Sequence, residues 1–227
     1  MHVITSTGRK IELPMLNPII REHVDNPNTL VGTLLAQVND RKMYEFVFRG
    51  DQNQVMLDIG ANIGVVSLYA SDACRRIVAL EPSSQFHVLK ALCEPFKQIE
   101  PMQLALAGHT GSAVFMVNDV NTTASSMAQT YGVPMMVQTI TLSGLLHKTG
   151  LDRVDFCKVD IEGSELECLT PYEVGLCRSR IRSYYVEVHN CPNSTWEYKL
   201  GKLVETFSHA GYGTMTVHGD ALYACTQ

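Results

Sequence analysis

Apolar positions in this chain come in two rhythms. Short continuous runs alternate with stretches in which apolar residues recur every three or four positions. From residue 55 the pattern predicts strand 55–59, helix 63–72, strand 77–81, helix 83–95 and strand 102–106. Strands alternating with helices predict a parallel sheet with helices on both faces. The segment from Gly111 to Thr141 breaks the rhythm. Ser112–Val117 and Met135–Ile140 read as strands around a polar, small-residue stretch, 118–126, expected to be a loop over the sheet's carboxyl edge. A helix near 142–149 precedes strand Val154–Ile161, and a further strand spans Ile181–Val188. Ser164-Glu-Leu-Glu167 and Ser194-Thr-Trp-Glu197 have the form of capping boxes. After the second, Trp196, Leu200, Leu203, Val204, Phe207 and Ala210 recur at helical spacing and are assigned to the core, with Gly211 as the stop. Thr214–Val217 and Ala221–Cys225, joined by His218-Gly-Asp220, predict an antiparallel hairpin.

The expected fold is α/β: a doubly wound, mainly parallel seven-stranded sheet with a terminal antiparallel strand, an N-terminal cap and a β-like insertion. Residues 1–50 form the cap, punctuated by Pro14, Pro18 and Pro27, with a helix expected within Leu30–Phe48. Residues 51–227 form one globular domain.

The 227 residues suffice for one such domain with a substantial core. A formal charge of −5, with dispersed Lys and Arg, gives no footprint for a nucleic-acid backbone, so nucleic acid is not an expected partner. No apolar run has the length of a membrane span, and the first ten residues lack the charged-then-apolar order of a signal peptide. The seven cysteines form no C-x-x-C pair and are read as reduced, in a cytoplasmic protein. Nothing here sets the oligomeric state.

Chemistry concentrates at three strand ends. The first is Val55-Met-Leu-Asp-Ile-Gly-Ala-Asn-Ile-Gly64, a strand breaking at glycine into a helix. Such a turn lets a nucleotide-like ligand approach bare backbone. A dinucleotide fingerprint from Gly60 needs glycine at 62 and 65, where the chain has Asn62 and Val65. The pattern Asp58-x-Gly60-x-x-x-Gly64 instead suits a ligand with a charged amino-acid end, with Asp58 facing an ammonium or a sulfonium-bearing chain. The second is Ile77-Val-Ala-Leu-Glu81-Pro82, about 20 residues after Gly60, where Glu81 can accept hydrogen bonds from two ribose hydroxyls. Pro82 is expected to start the next helix.

The third comprises Lys158, Asp160 and Glu162, alternating along one strand end, and Glu187 with His189 on the next. Lys158 among carboxylates implies a paired charge. Asp160 and Glu162 sit before a helix N-terminus, which is expected to lower their pKa values and to favour orienting roles. His189 is the leading candidate base, because imidazole titrates near neutral pH.

Asp58–Gly64, Ala79-Leu-Glu81-Pro82 and Phe156-Cys-Lys158-Val-Asp160-Ile-Glu162-Gly163-Ser-Glu165 together resemble the FkbM-type S-adenosylmethionine-dependent methyltransferases, over roughly Tyr44 to His189. The first block is shared by many class I methyltransferases; the Lys-x-Asp-x-Glu-Gly-x-Glu block is far more specific. The resemblance implies S-adenosylmethionine as cofactor and a hydroxyl oxygen, often on a sugar or natural product, as methyl acceptor. With the readings above, this gives an expected cofactor site of Asp58, Gly60, Ala61, Asn62, Gly64, Ser67, Glu81 and Pro82, and an expected catalytic set of His189, Asp160 and Glu162. Metal-dependent relatives use acids after the same two strands, which Asp160, Glu187 and Asn190 could imitate. Their spacing differs, so no metal is expected. A nicotinamide-dependent oxidoreductase and a non-catalytic S-adenosylmethionine-binding protein are the alternatives.

Overall fold

The computed structural model describes residues 2–6, 8–12, 53–117, 127–128 and 132–226. The proline-punctuated part of the N-terminal cap, its expected helix and the polar loop 118–126 lie outside the described residues. The fold is α/β with a large, mostly parallel sheet, and the chain divides into two compact units, Met1–Gln103 and Leu104–Gln227. All seven cysteines are free, and no described helix is long and apolar enough to cross a membrane.

In the first unit, β1 (His2–Ile4) and β2 (Lys10–Glu12) form an antiparallel pair. It is tied down by the Ser6 N–H donating to Tyr69 O at 2.8 Å and Thr5 Oγ1 donating to Asp72 at 2.7 Å. Strand β3 (Gln54–Ile59) is buried at every position, as a strand covered on both faces must be. It runs parallel to β4 (Cys74–Leu80), which runs parallel to β5 (Ile99–Met102). Pro101 fits β5 because that strand ends the sheet order.

Two helices connect these strands: α1 (Val65–Ala70) and α2 (Gln85–Cys93). Gly64 caps α1 at φ 87°, and a Cβ there would stand 2.5 Å from Leu89 Cδ1 on α2, so both backbone and packing require glycine. Helix α2 begins three residues beyond Pro82. The Ser83 N–H goes to the Glu81 carboxylate, and the Gln85 N–H goes to Ser83 Oγ, so local side chains take the donors a helix start at 82 would order differently.

The strand expected over 102–106 is two strands. After β5, the chain forms β6 (Ala105–Leu106) in the second unit. There β6 pairs parallel with β8 (Val133–Ile140), which pairs antiparallel with β7 (Gly111–Val117). These are the two β-like segments of the insertion, packed around Ala105, Phe115 and Val137.

Helix α3 (Leu142–Thr149) has the predicted bounds, with Thr141 Oγ1 accepting from the Gly144 N–H and Gly150 closing it at φ 63°. Strand β9 (Phe156–Val159) lies parallel to β10 (Ser183–Glu187). Helices α4 (Glu165–Cys168) and α5 (Pro171–Cys177) intervene, and α6 (Trp196–His209) follows. The terminal hairpin, β11 (Thr214–His218) and β12 (Ala221–Cys225), joins β10 through antiparallel β12. Tyr212 packs edge to face against Tyr184 and Phe207, whose own rings meet at a tilt, and Tyr212 Oη donates to Ile181 O.

Neither capping box forms as written. Ser164 Oγ is buried without a hydrogen bond, and the Glu165 carboxylate accepts from the Gly163 N–H instead. For α6 the cap is one residue later, with Thr195 Oγ1 accepting from Tyr198 N.

Candidate active site

The turn after β3 is held by the neighbouring strand. The Gly60 and Ala61 N–H groups both donate to Leu80 O, at 3.0 and 2.8 Å. Gly60 (φ 75°), Asn62 (φ 51°) and Gly64 (φ 87°) alternate with ordinary conformations to fold the turn back on itself. Glu81 then joins the turns after β3 and β4. Its Oε2 accepts from the Asn62 N–H and its Oε1 from the Ser83 N–H, each at 2.9 Å. A carboxylate offers about four acceptor sites, so the hydroxyls of a diol can be held by the same group. Asp58 and Ser67 are fully buried, and Ser67 Oγ donates to Asp58 Oδ2 at 2.6 Å. Asp58, which the sequence pattern places at the ligand's charged end, is thus tied to Ser67 within the protein. Ala61, Gly64 and Pro82 are buried beside the turn, while Gly60 and Asn62 keep partial exposure.

This donor set fits S-adenosylmethionine. A carboxylate at the end of β4 suits a ribose diol, and a turn presenting backbone with an acid below it repels a diphosphate.

In the second unit, the ends of β9 and β10 bring acids around one imidazole. Nδ1 of His189 lies 2.9 Å from Glu165 Oε1, and Glu165 is fully buried. Nε2 lies 3.7 Å from each of Asp160 Oδ1, Glu162 Oε2 and Glu187 Oε1. Lys158, 3% exposed, pairs with Asp160 Oδ2 at 3.2 Å, the paired charge its burial required. The chain reverses here with Glu162 at φ 53° and Gly163 at φ 117°. A Cβ on Gly163 would stand 3.0 Å from Ala128 Cβ and 3.3 Å from Cys191 Cβ.

Lys199 was missed by the sequence reading. It comes from α6, is 1% exposed, and donates to Gly163 O and to Glu165 Oε2, the latter at 3.0 Å. Its signal was legible: residue 199 lies on the same stripe as Leu203 and Phe207, and a lysine on an apolar stripe needs a buried partner. Glu165, at the end of the Lys158–Glu165 block, is that partner.

The expected lowering of the Asp160 and Glu162 pKa values is reversed. Burial pushes both carboxyls up, Glu162 to about 8, with the neighbouring carboxylates adding to the pull of burial and His189 opposing it. The helix that was to lower them, α4, has only four residues, too short for a substantial dipole. Burial alone would lower His189, but its contacts with Glu165 and Glu187 and the charges of Asp160 and Glu162 outweigh that and push it up to about 11. His189 therefore carries a proton at neutral pH in this arrangement. Glu165 is held below the usual carboxylate range: burial opposes this, and His189 and Lys199 prevail.

Asp160, Glu162 and His189 each offer one donor atom, all within 4.8 Å of one another. Asn190 does not join them, because its Oδ1 accepts from the Trp196 N–H at the start of α6.

Residues 58–213 match the family model described as "Methyltransferase FkbM domain". No curated protein matches the chain in sequence. Among solved structures, the METTL16 MTase domain superposes with a TM-score of 0.50 at 14% identity, covering 98% of this chain and 84% of that one. That likeness is one of fold. A precorrin-6y C5,15-methyltransferase from Geobacter metallireducens GS-15 gives a TM-score of 0.49 at 15% identity over 83% and 88% of the two chains. TrmK from M. capricolum, in complex with S-adenosyl-homocysteine, gives 0.37 at 14% identity over 80% and 65%.

Proposed function

The chain belongs to the FkbM methyltransferase family and uses S-adenosylmethionine; from that premise we propose that it methylates a hydroxyl oxygen on a sugar or natural-product-like acceptor. Family membership removes the nicotinamide-dependent alternative. The observation that carries the hydroxyl reading is the group of carboxylates around His189, whose Nδ1 is fixed by a fully buried Glu165.

Bound to the turn of the first unit, the cofactor supplies an electrophilic methyl group on a sulfonium. Glu81 holds the ribose hydroxyls, Gly60, Ala61, Asn62 and Gly64 present backbone to the methionine end, and Pro82 lines the turn after β4. Asp58 and Ser67 fix the shape of that backbone. A hydroxyl is a poor nucleophile until its proton has an acceptor, so acid–base groups are needed beside it. Asp160, Glu162 and His189 supply them: the carboxylates receive the hydroxyl's hydrogen bond, and His189, oriented by Glu165, sets their charge. Positioning contributes much of the remaining acceleration.

Incubation with methyl-labelled S-adenosylmethionine and a cell extract, followed by mass spectrometry, tests the reading. Label in a methyl ether supports it. Label on nitrogen or carbon alone would refute the hydroxyl assignment, and cofactor binding with no transfer to any acceptor would favour a non-catalytic binding protein.

A further inference from the structure

We propose that Asp160, Glu162 and His189, backed by Glu187, bind a divalent first-row transition-metal ion. This departs from the sequence expectation of no metal, which rested on a different trio. The binding stands on geometry alone; the role given to it below rests on the hydroxyl-acceptor reading.

Three facts about the second unit point to a cation of this kind. The first is the way His189 is presented. Its Nδ1 is taken by Glu165 Oε1 at 2.9 Å, and Glu165 is itself locked by Lys199 and the Gly163 N–H. A buried carboxylate on one imidazole nitrogen is how metal-binding histidines are commonly oriented, leaving the other nitrogen as ligand.

The second is where Nε2 points. It faces three carboxylate oxygens from three residues, each at 3.7 Å. That is beyond hydrogen-bond reach in every case. Donor atoms sharing one ion at about 2.1 Å lie roughly 3.0–3.4 Å apart, so the distances from Nε2 to the carboxylates need to close by a few tenths of an ångström, within a set of donors that all lie inside 4.8 Å of one another. Lys158 engages Asp160 Oδ2 and leaves Oδ1 on the His189 side.

The third is charge. Asp160, Glu162, Glu165 and Glu187 contribute four carboxylates, against the ammonium groups of Lys158 and Lys199. Once the ion displaces the imidazole proton and all four carboxylates are ionised, two negative charges remain in a group whose members are at most a quarter exposed. A dication cancels them. One imidazole with oxygen donors favours manganese, iron, cobalt or zinc over magnesium or calcium.

Such an ion would draw the acceptor hydroxyl into coordination and lower its pKa, as metals do for bound water, with the released proton passing to a neighbouring carboxylate.

The full chain, stripped with chelator and titrated with Mn²⁺, tests the site by electron paramagnetic resonance. The proposal expects saturable binding of one ion per chain, with nitrogen coupling from one imidazole in pulsed spectra of the unaltered protein. Glu162→Gln and His189→Ala should each weaken binding at least tenfold with the fold intact by circular dichroism, whereas the surface variant Glu205→Ala should not. Absence of saturable binding, absence of nitrogen coupling, or parental affinity in both site variants would overturn the site. Methyl transfer to a hydroxyl that persists undiminished in chelator would overturn the ion's role. Tight Mn²⁺ binding without any O-methyl product would instead refute the hydroxyl reading while leaving the site standing.

Discussion

Glu81 is the residue through which the cofactor turn can be tested most simply. Its two oxygens already join Asn62 and Ser83, so it shapes the turn as well as offering acceptors to a ribose. Glu81→Ala should weaken S-adenosylmethionine binding by about 1.5–3 kcal/mol, the size of hydrogen bonds to a charged group, read by calorimetry. Unchanged affinity would take Glu81 out of the site. Lys199 is a second test at this scale. Removing one partner of a buried ion pair costs about 3–5 kcal/mol when the other charge is left uncompensated; Glu165 keeps the His189 imidazole 2.9 Å away, so Lys199→Met should cost less, about 1–3 kcal/mol, in denaturant unfolding. A Lys199→Met protein as stable as the parent would show that the pair contributes nothing.

Among the elements, α6 separates pattern from chemistry. Sequence placed its cap at Ser194, but the hydrogen bond comes from Thr195. Thr195→Ala should therefore cost about 1 kcal/mol and Ser194→Ala close to nothing, compared by thermal unfolding. Equal costs would contradict the observed cap. The main strands and helices of both units were legible because their apolar runs and periodicity are strong, as in β3 and α3. The 102–106 strand was misread because an apolar run continues through a change of partner: β5 pairs with β4, while β6 pairs with β8. Local pattern carries no record of which strand is the neighbour. The charged cluster was half legible for the same reason. Alternation placed Asp160 with Glu162, and Glu187 with His189, but the role of Glu165 and the arrival of Lys199 from 34 residues away depend on tertiary packing. The pKa directions depart from the sequence expectation because the helix after β9 has only four residues, so burial and like charge decide.

For the molecule as a whole, cofactor binding and folding are linked. A ligand that binds only the folded chain, at about 100 times its Kd, adds about 2.7 kcal/mol of stability. For a chain of this size that corresponds to a rise of about 5–10 °C in unfolding temperature, measurable by scanning fluorimetry with S-adenosylmethionine and with NAD in parallel. The rise should come with S-adenosylmethionine alone. The family match spans residues 58–213 and so includes both the cofactor turn and the cluster around His189. The proposed chemistry rests on that cluster. Its most direct test is methyl transfer from labelled S-adenosylmethionine by the parent protein and by His189→Ala, with the product's methyl group identified by nuclear magnetic resonance. The prediction is a methyl ether, formed at least tenfold more slowly by the variant, with its cofactor affinity unchanged. A methyl group on carbon or nitrogen, or equal rates from both proteins, would contradict it.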